Sequence, residues 1–219
     1  MTDSIRMTSI CPTVTAADAE SYRTQIERIA NFAARIHIDI SDGILAPTKL
    51  LDPDKVWWPG GVRADLHVML EDPFDHVALY RALGPQLVIV HAEARGDFLE
   101  FAEIMHHHGI ETGVALLQNT SVETIIPALD KIDHVLIFSG TLGSFGGTAD
   151  LSLLEKVMHL KHLKPALEIG WDGGINLANA QALADGGVEV LNVGGFIQRS
   201  QDPELAYEQL REVIAAKSV

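Results

Sequence analysis

Eight short runs rich in Val, Ile and Leu recur along these 219 residues, and longer amphipathic segments separate most of them. The apolar runs are Met7 to Cys11, Ala34 to Ile40, Arg63 to Val68, Leu87 to His91, Thr112 to Leu117, His134 to Phe138, Ala166 to Gly170 and Val188 to Val193. Helical patterns cover Ala16 to Phe32, Pro73 to Ala82, Asp97 to His108, Val122 to Ala128, Leu151 to Leu160, Leu177 to Asp185 and Pro203 to Ala216. After the second run only a short helix is expected, around Asp54 to Trp58. Strands that alternate with helices at this spacing make a parallel sheet, because each crossover returns the chain to the same end. Eight such units without a Pro/Gly/Ser linker predict an α/β fold, a (β/α)8 barrel, with residues 1–219 as a single compact domain. An open doubly wound sheet is the alternative.

Local signals support several helix ends. Thr120-Ser121-Val122-Glu123 and Ser152-Leu153-Leu154-Glu155 match the capping box, and Asp72-Pro73 offers a cap followed by a proline in the first turn. Gly109 and Gly186-Gly187 mark stops.

Composition narrows the partners. The formal net charge of -14 argues against nucleic acid, whose binding needs Lys and Arg to neutralise phosphates. A small phosphorylated ligand stays open, since helix N-termini and glycine backbones hold one phosphate locally. No run approaches the roughly 20 apolar residues of a membrane span. Met1 to Arg6 lacks the basic and apolar regions of a leader, so a cytoplasmic location without membrane attachment is expected. The lone cysteine, Cys11, excludes an internal disulfide and reads as a small buried hydrophobe rather than a nucleophile.

Polar residues interrupt the strands in a pattern. Active sites of parallel barrels form at the C-terminal strand ends. There lie His37 and Asp39 in the second strand, His67 in the third, His91 and Glu93 at the fourth, and Asp172 just after the seventh. In Ile36-His37-Ile38-Asp39-Ile40 the two-residue period puts His37 and Asp39 on one face and the isoleucines on the other, toward the helices. With His67 and Asp172 they form a set of two imidazoles and two carboxylates, acceptable to one divalent metal ion: Zn, Fe(II), Mn or Co. A hydrogen-bonded structural cluster is the alternative. Glycine clusters follow the last three strands, in Gly143-Ser144-Phe145-Gly146-Gly147, Asp172-Gly173-Gly174 and Gly194-Gly195. Such loops cradle phosphate on backbone N–H groups, or simply turn tightly.

These residues also carry a resemblance. The ribulose-phosphate 3-epimerase family shows patterns close to H-V-D-V-M-D-G, H-L-M, P-G-F-G-G and V-D-G-G-I, then a late Gly-Ser. The chain is similar in His37-Ile38-Asp39-Ile40-Ser41-Asp42-Gly43, His67-Val68-Met69, Gly143 to Gly147, Trp171-Asp172-Gly173-Gly174-Ile175 and Gly194-Gly195. Pro12-Thr13-Val14-Thr15-Ala16-Ala17-Asp18 resembles the family's opening P-S-I-L-S-A-D. The related hexulose-phosphate synthases and orotidine-phosphate decarboxylases carry D-x-K-x-x-D at the second strand, and Asp39 stands here in place of that lysine.

The resemblance implies that His37, Asp39, His67 and Asp172 ligate the metal and that Asp39 and Asp172 serve as the acid/base pair. It implies a substrate and phosphate set of Thr13, His67, Met69, Gly146, Gly147, Gly174, Gly194 and Gly195. The implied activity is 3-epimerisation of a ketose phosphate, D-ribulose 5-phosphate to D-xylulose 5-phosphate, through an enediolate. A homo-oligomer is the expected assembly. The chain is a divergent member: Ser41 replaces a methionine, Ile44 a histidine and Gly195 a serine. The segment Phe138-Ser139-Gly140-Thr141-Leu142-Gly143 also carries one extra residue. These changes touch the cavity wall, so allulose 6-phosphate is a second substrate candidate, and a non-catalytic binding barrel is the non-enzyme reading. A Schiff-base lyase would need a lysine within a strand, and the eight runs contain none.

Among the remaining polar residues, His91 and Glu93 either orient metal ligands or close the fourth strand. Asp42 reads as structural, His106-His107-His108 as a solvated helix end, and Trp57-Trp58 as packing or an interface. Arg199 and Lys49 are not assigned to phosphate.

Overall fold

Eight parallel strands pair in chain order and the eighth pairs with the first, which closes the sheet and leaves no edge. They are β1 (Ser9–Val14), β2 (Arg35–Ser41), β3 (Arg63–Met69), β4 (Leu87–His91), β5 (Glu111–Leu116), β6 (His134–Phe138), β7 (Glu168–Asp172) and β8 (Val190–Val193). The helices are α1 (Ala19–Ile29), α2 (Val77–Leu83), α3 (Phe98–His107), α4 (Leu154–Leu163), α5 (Ala180–Asp185), α6 (Gly195–Gln198) and α7 (Pro203–Ala215). This is a computed structural model, and it describes residues 8–144 and 146–216. Met7 at the expected start of the first strand, the N-terminal stretch Met1 to Arg6, and Phe145 in the glycine loop lie outside the described residues. The expected closed barrel is the observed fold; pairing of Ser9–Pro12 with Val190–Val193 excludes the open sheet.

Several boundaries differ from the sequence reading, each for a local reason. β1 runs through Pro12 to Val14. Its pairing with β8 ends at Pro12 and its pairing with β2 begins at Thr13, so the missing proline N–H falls at the hand-over between neighbours. β7 is displaced by two residues, to Glu168–Asp172, which places Asp172 within the strand. The helix expected over Val122 to Ala128 is two 3₁₀ segments, Val122–Thr124 and Ile126–Lys131, interrupted near Pro127. Ser121 bonds the Glu123 carboxylate and caps no backbone there. At the next helix Asp150, rather than Ser152, accepts the capping N–H. Asp72 caps nothing with its side chain, and Pro73–His76 is 3₁₀ before α2 begins. The short helix near Asp54 is likewise a single 3₁₀ turn, Pro53–Lys55.

Alternation sorts the side chains into two layers. Ile36, Ile38 and Ile40 of β2 pack outward in one core with Ile26 and Ile29 of α1. Inside the barrel, Leu87, Ile89, Ala115 and Leu136 form a small apolar cluster on the β4–β6 side. The floor is ionic. Arg35, the first residue of β2, reaches Asp65 at 2.7 Å and grips Glu168 through two bonds of 3.1 and 2.9 Å, while His134 Nδ1 lies 2.8 Å from the same Glu168 carboxylate. Gly170 makes room for this arrangement, because a Cβ there would stand 2.5 Å from His134 Nε2. Burial alone would raise the Glu168 pKa, but His134 and Arg35 outweigh it and hold the carboxyl well below the usual range.

A depressed carboxyl stabilises the fold above its unfolded pKa, about 4.3, and that contribution is lost as pH falls. Glu168→Leu leaves Arg35 short of a partner inside the barrel. We expect a loss of about 3 kcal/mol in urea denaturation at neutral pH, with the gap to the unsubstituted protein narrowing on acidification below about pH 4.

Candidate metal and substrate site

Opposite the ionic floor, β2, β3 and β7 bring four donors to one point. One ligand atom from each of His37, Asp39, His67 and Asp172 lies within 4.8 Å of all the others. His37 Nε2 stands 3.4 Å from Asp39 and 3.7 Å from Asp172, and His67 Nδ1 stands 2.9 Å from Asp39 and 3.9 Å from Asp172. Both imidazoles are fully buried. Neither ring nitrogen of His37 has a hydrogen-bond partner among the described residues. A buried polar atom left unbonded costs roughly 1–3 kcal/mol, so a wholly unbonded imidazole beside two carboxylates fits a ring kept for a cation. Two nitrogen and two oxygen donors are the chemistry that Zn(II), Fe(II), Mn(II) and Co(II) accept.

A second layer holds these groups. Thr15 Oγ1 donates to Asp39 Oδ2 at 2.5 Å. His67 Nε2 faces His91 Nε2 at 2.8 Å, and His91 Nδ1 faces Glu93 Oε2 at 3.4 Å, so His91 and Glu93 stand directly behind the His67 ring. Thr120 ties Glu93 from the next loop. The Phe138 ring packs against the His67 and His91 rings at 5.8 and 6.2 Å.

The two carboxylates differ in acidity. Burial and then the Asp39 charge push the Asp172 carboxyl up to about 7. Burial also acts to raise Asp39, but His37 and His67 outweigh it and hold that carboxyl below its ordinary value. His67 is pushed down to about 4, mainly by burial. For His37, burial is outweighed by Asp39 and Asp172, and its pKa rises. Without metal, Asp39 is thus the more acidic member of the pair and Asp172 the less acidic, a division that suits a base and an acid.

Above the donors opens a cavity of about 240 Å³. Thr13, Asp39, Met69 and Asp172 line it, together with Gly146, Gly147, Gly174, Gly194 and Gly195. His37 and His67 are not among its lining residues; they lie beneath it. Two glycines are required by close approach: a Cβ on Gly173 would meet Gly140 N at 2.2 Å, and one on Gly174 would meet Ala149 N at 2.2 Å. The loop after β6 therefore lies on the turn after β7. Leu142 of that loop packs on Ala46, Leu50 and Met69.

Other sequence readings resolve simply. Asp42 accepts backbone N–H groups of Ile44, Leu45 and Glu71, a structural role. His106 to His108 lie on an exposed helix end, with His106 bonded to Asp133 at 2.7 Å. Trp57 meets Tyr22 edge-on and Trp58 packs on the core. Cys11 is buried. Lys49 pairs with Asp52 at 3.1 Å, whereas Arg199 lines the cavity. The sequence reading missed Thr15, Phe138, Asn176 and Asn192 near the site. Thr15 and Asn192 had a legible signal, a polar residue in step with the inward face of its strand.

A raised carboxyl favours folding below its unfolded pKa, about 3.9 for Asp, and loses that contribution as pH climbs through the folded value, about 7. In metal-free protein, Asp172→Asn should therefore gain stability relative to the unsubstituted chain as pH rises from about 4 to above 7. Thermal denaturation in chelator checks this, and the trend should weaken in an Asp39→Asn background.

The ribulose-phosphate 3 epimerase family model matches residues 9–197. The chain is 32% identical over 212 residues to the ribulose-phosphate 3-epimerase of Helicobacter pylori (strain J99 / ATCC 700824), covering 93% of this chain and 97% of that one. It is 27% identical over 215 residues to the enzyme of the same name from Bacillus subtilis (strain 168), covering 94% and 99%. Among solved structures, 3-hexulose-6-phosphate synthase from Salmonella typhimurium superposes with a TM-score of 0.68 at 12% identity, covering 95% of this chain and 99% of that one. KGPDC from Streptococcus mutans gives 0.67 at 12%, covering 95% and 98%. The latter two share the fold alone. The match along nearly the whole sequence, on a barrel whose mouth gathers the His and Asp donors, makes this chain a member of the ribulose-phosphate 3-epimerase family, a family of isomerases.

Proposed function

We propose that the chain epimerises a ketose phosphate at C3, interconverting D-ribulose 5-phosphate and D-xylulose 5-phosphate, with Asp39 and Asp172 as the acid/base pair. One observation carries this reading: a buried and a partly buried carboxylate of unequal acidity share a donor cluster with an unbonded imidazole at the base of a glycine-rimmed cavity. They stand on β2 and β7, with β1 and β8 between them, so a substrate over β1 and β8 lies between the two.

In one direction the ionised Asp39 takes the C3 proton, the C–H electron pair moves into the enediolate, and the protonated Asp172 returns a proton to the other face. The carboxyls then hold the opposite protonation states and are ready for the reverse reaction. A divalent metal ion held by His37, Asp39, His67 and Asp172 would supply a Lewis acid that stabilises the enediolate charge. For His67 to ligate through Nδ1, its proton must sit on Nε2; that N–H would then donate to His91 Nε2, and His91 would turn its own N–H toward Glu93. The backbone N–H groups around Gly146, Gly147, Gly174, Gly194 and Gly195 would hold the phosphate, with Thr13 and Met69 on the wall. The altered loop through Thr141 and Leu142 keeps a six-carbon ketose, allulose 6-phosphate, as the second reading. No helix among the described residues is long and apolar enough to cross a membrane; a cytoplasmic homo-oligomer completes the proposal.

Assays of both ketose phosphates with Zn(II), Fe(II), Mn(II) and Co(II) test the reading, and turnover of neither would favour a binding barrel. Asp172→Asn should lower formation of the C3 epimer by about 10²–10⁴-fold, while Asp39 can still exchange the C3 proton of unconverted substrate with solvent deuterium; deuterated epimer formed at the unsubstituted rate would remove Asp172 from the mechanism. His37→Ala should reduce bound metal in the purified protein, measured by elemental analysis, while the barrel stays folded.

A further inference from the structure

Among the cavity residues that the reaction above leaves without an assignment is Asn192. Asn192 is the third residue of β8, in the sequence Val190-Leu191-Asn192-Val193, where its neighbours are all buried hydrophobes. Leu191 and Val193 belong to the outer core, so the strand's alternation turns Asn192 inward. It is 2% exposed and lines the same cavity as Asp39 and Asp172. Neither its Oδ1 nor its Nδ2 has a hydrogen-bond partner among the described residues. A structural asparagine in a barrel interior bonds backbone or side chains; this one lines the cavity with both its donor and its acceptor unused among the described residues. On the neighbouring strand, Thr13 Oγ1 is also buried, lines the cavity and lacks a partner among the described residues.

Position identifies what the amide meets. In the β7–β8 ladder Asn192 is level with Asp172. Along β8 it precedes Gly194 by two residues, about 7 Å at roughly 3.3 Å per residue. A ketose phosphate with its reacting carbon at Asp172 and its phosphate at Gly194 and Gly195 must carry the carbons between them past Asn192. In a pentulose 5-phosphate reacting at C3, the one hydroxyl in that interval is on C4. An alcohol both donates and accepts, which matches a carboxamide that accepts at Oδ1 and donates at Nδ2.

We infer that Asn192 is a specificity-determining residue that hydrogen-bonds the substrate hydroxyl between the reacting carbon and the phosphate-bearing carbon. The inference rests on the ketose-phosphate reading of the site and adds to it the feature that would separate a hydroxylated substrate from a deoxy analogue. A site that bonds a hydroxyl discriminates against the compound lacking it, because the site's own polar atoms are then left buried and unbonded.

Calorimetry on the metal-loaded protein with ribitol 5-phosphate and 4-deoxyribitol 5-phosphate, neither of which can react, tests this without turnover. The unsubstituted protein should prefer the hydroxylated compound by about 10- to 100-fold. Asn192→Leu should lose the preference or reverse it, because the leucine leaves the ligand's hydroxyl unbonded while accommodating the deoxy compound. Its thermal midpoint should equal or exceed the original, since an apolar side chain replaces two unbonded polar atoms; Asn192→Ala serves as the second variant if the leucine misfolds. No preference in the unsubstituted protein, or a preference that survives in a folded variant, overturns the assignment. Epimerisation assays run alongside separate the two claims. A protein that shows the preference but turns over no ketose phosphate overturns the proposed reaction and leaves Asn192 standing, and one that epimerises without the preference does the reverse.

Discussion

Away from its mouth, an inward side chain in this barrel meets chiefly other inward side chains, because the eight strands pair all the way round. Charge placed inside must therefore be matched inside. At the floor the chain answers with Arg35 between Asp65 and Glu168, a fixed cation paired with both carboxylates, although Asp65 Oδ1 has no hydrogen-bond partner among the described residues. At the mouth it places two carboxylates and two imidazoles and leaves His37 unbonded. The same strand, β2, supplies residues to both ends, Arg35 below and His37 and Asp39 above. The floor pairs its carboxylates with the Arg35 cation, whereas the mouth gathers its two carboxylates beneath a cavity with only imidazoles beside them, and that difference marks the mouth as the place for chemistry.

The cluster at the mouth also explains how two residues of one type take different parts. Asp39 sits among His37, His67 and Thr15, all of which favour its ionised form. Asp172, on β7 and partly buried, stands farther from both imidazoles, at 3.7 and 3.9 Å, and faces the Asp39 charge. Burial acts on both in the same direction, so the difference lies in the neighbours, chiefly the imidazoles gathered round β2 and β3.

Much of this was legible in the sequence, and the reasons are specific. Ile36 to Ile40 alternates so regularly that the inward placement of His37 and Asp39 followed from the period alone. The barrel followed from the repetition of such runs, and the metal set from polar residues at corresponding strand ends. Register was less legible. β7 was read two residues early because Leu167 and Ile169 are apolar while Gly170 resembles a stop; the observed strand begins at Glu168, whose carboxylate is fixed by partners on β2 and β6. The capping boxes at Thr120 and Ser152 were local patterns overridden by tertiary placement. Asn192 was visible as a lone polar residue in an apolar strand, but its unbonded amide is a property of the assembled interior and had no trace in the chain.

The rim of the cavity has a consequence for redesign. Gly143 lies close against Thr48, where a Cβ would make a tight contact of 3.0 Å, and Leu142 packs beside Ala46 and Leu50. The loop after β6 and the segment after β2 are thus interlocked, although nearly a hundred residues of chain separate them. A grafting experiment that exchanges either one between homologues imports half of a fitted joint. The two travel as a unit, and the tractable chimera is the one that moves them together.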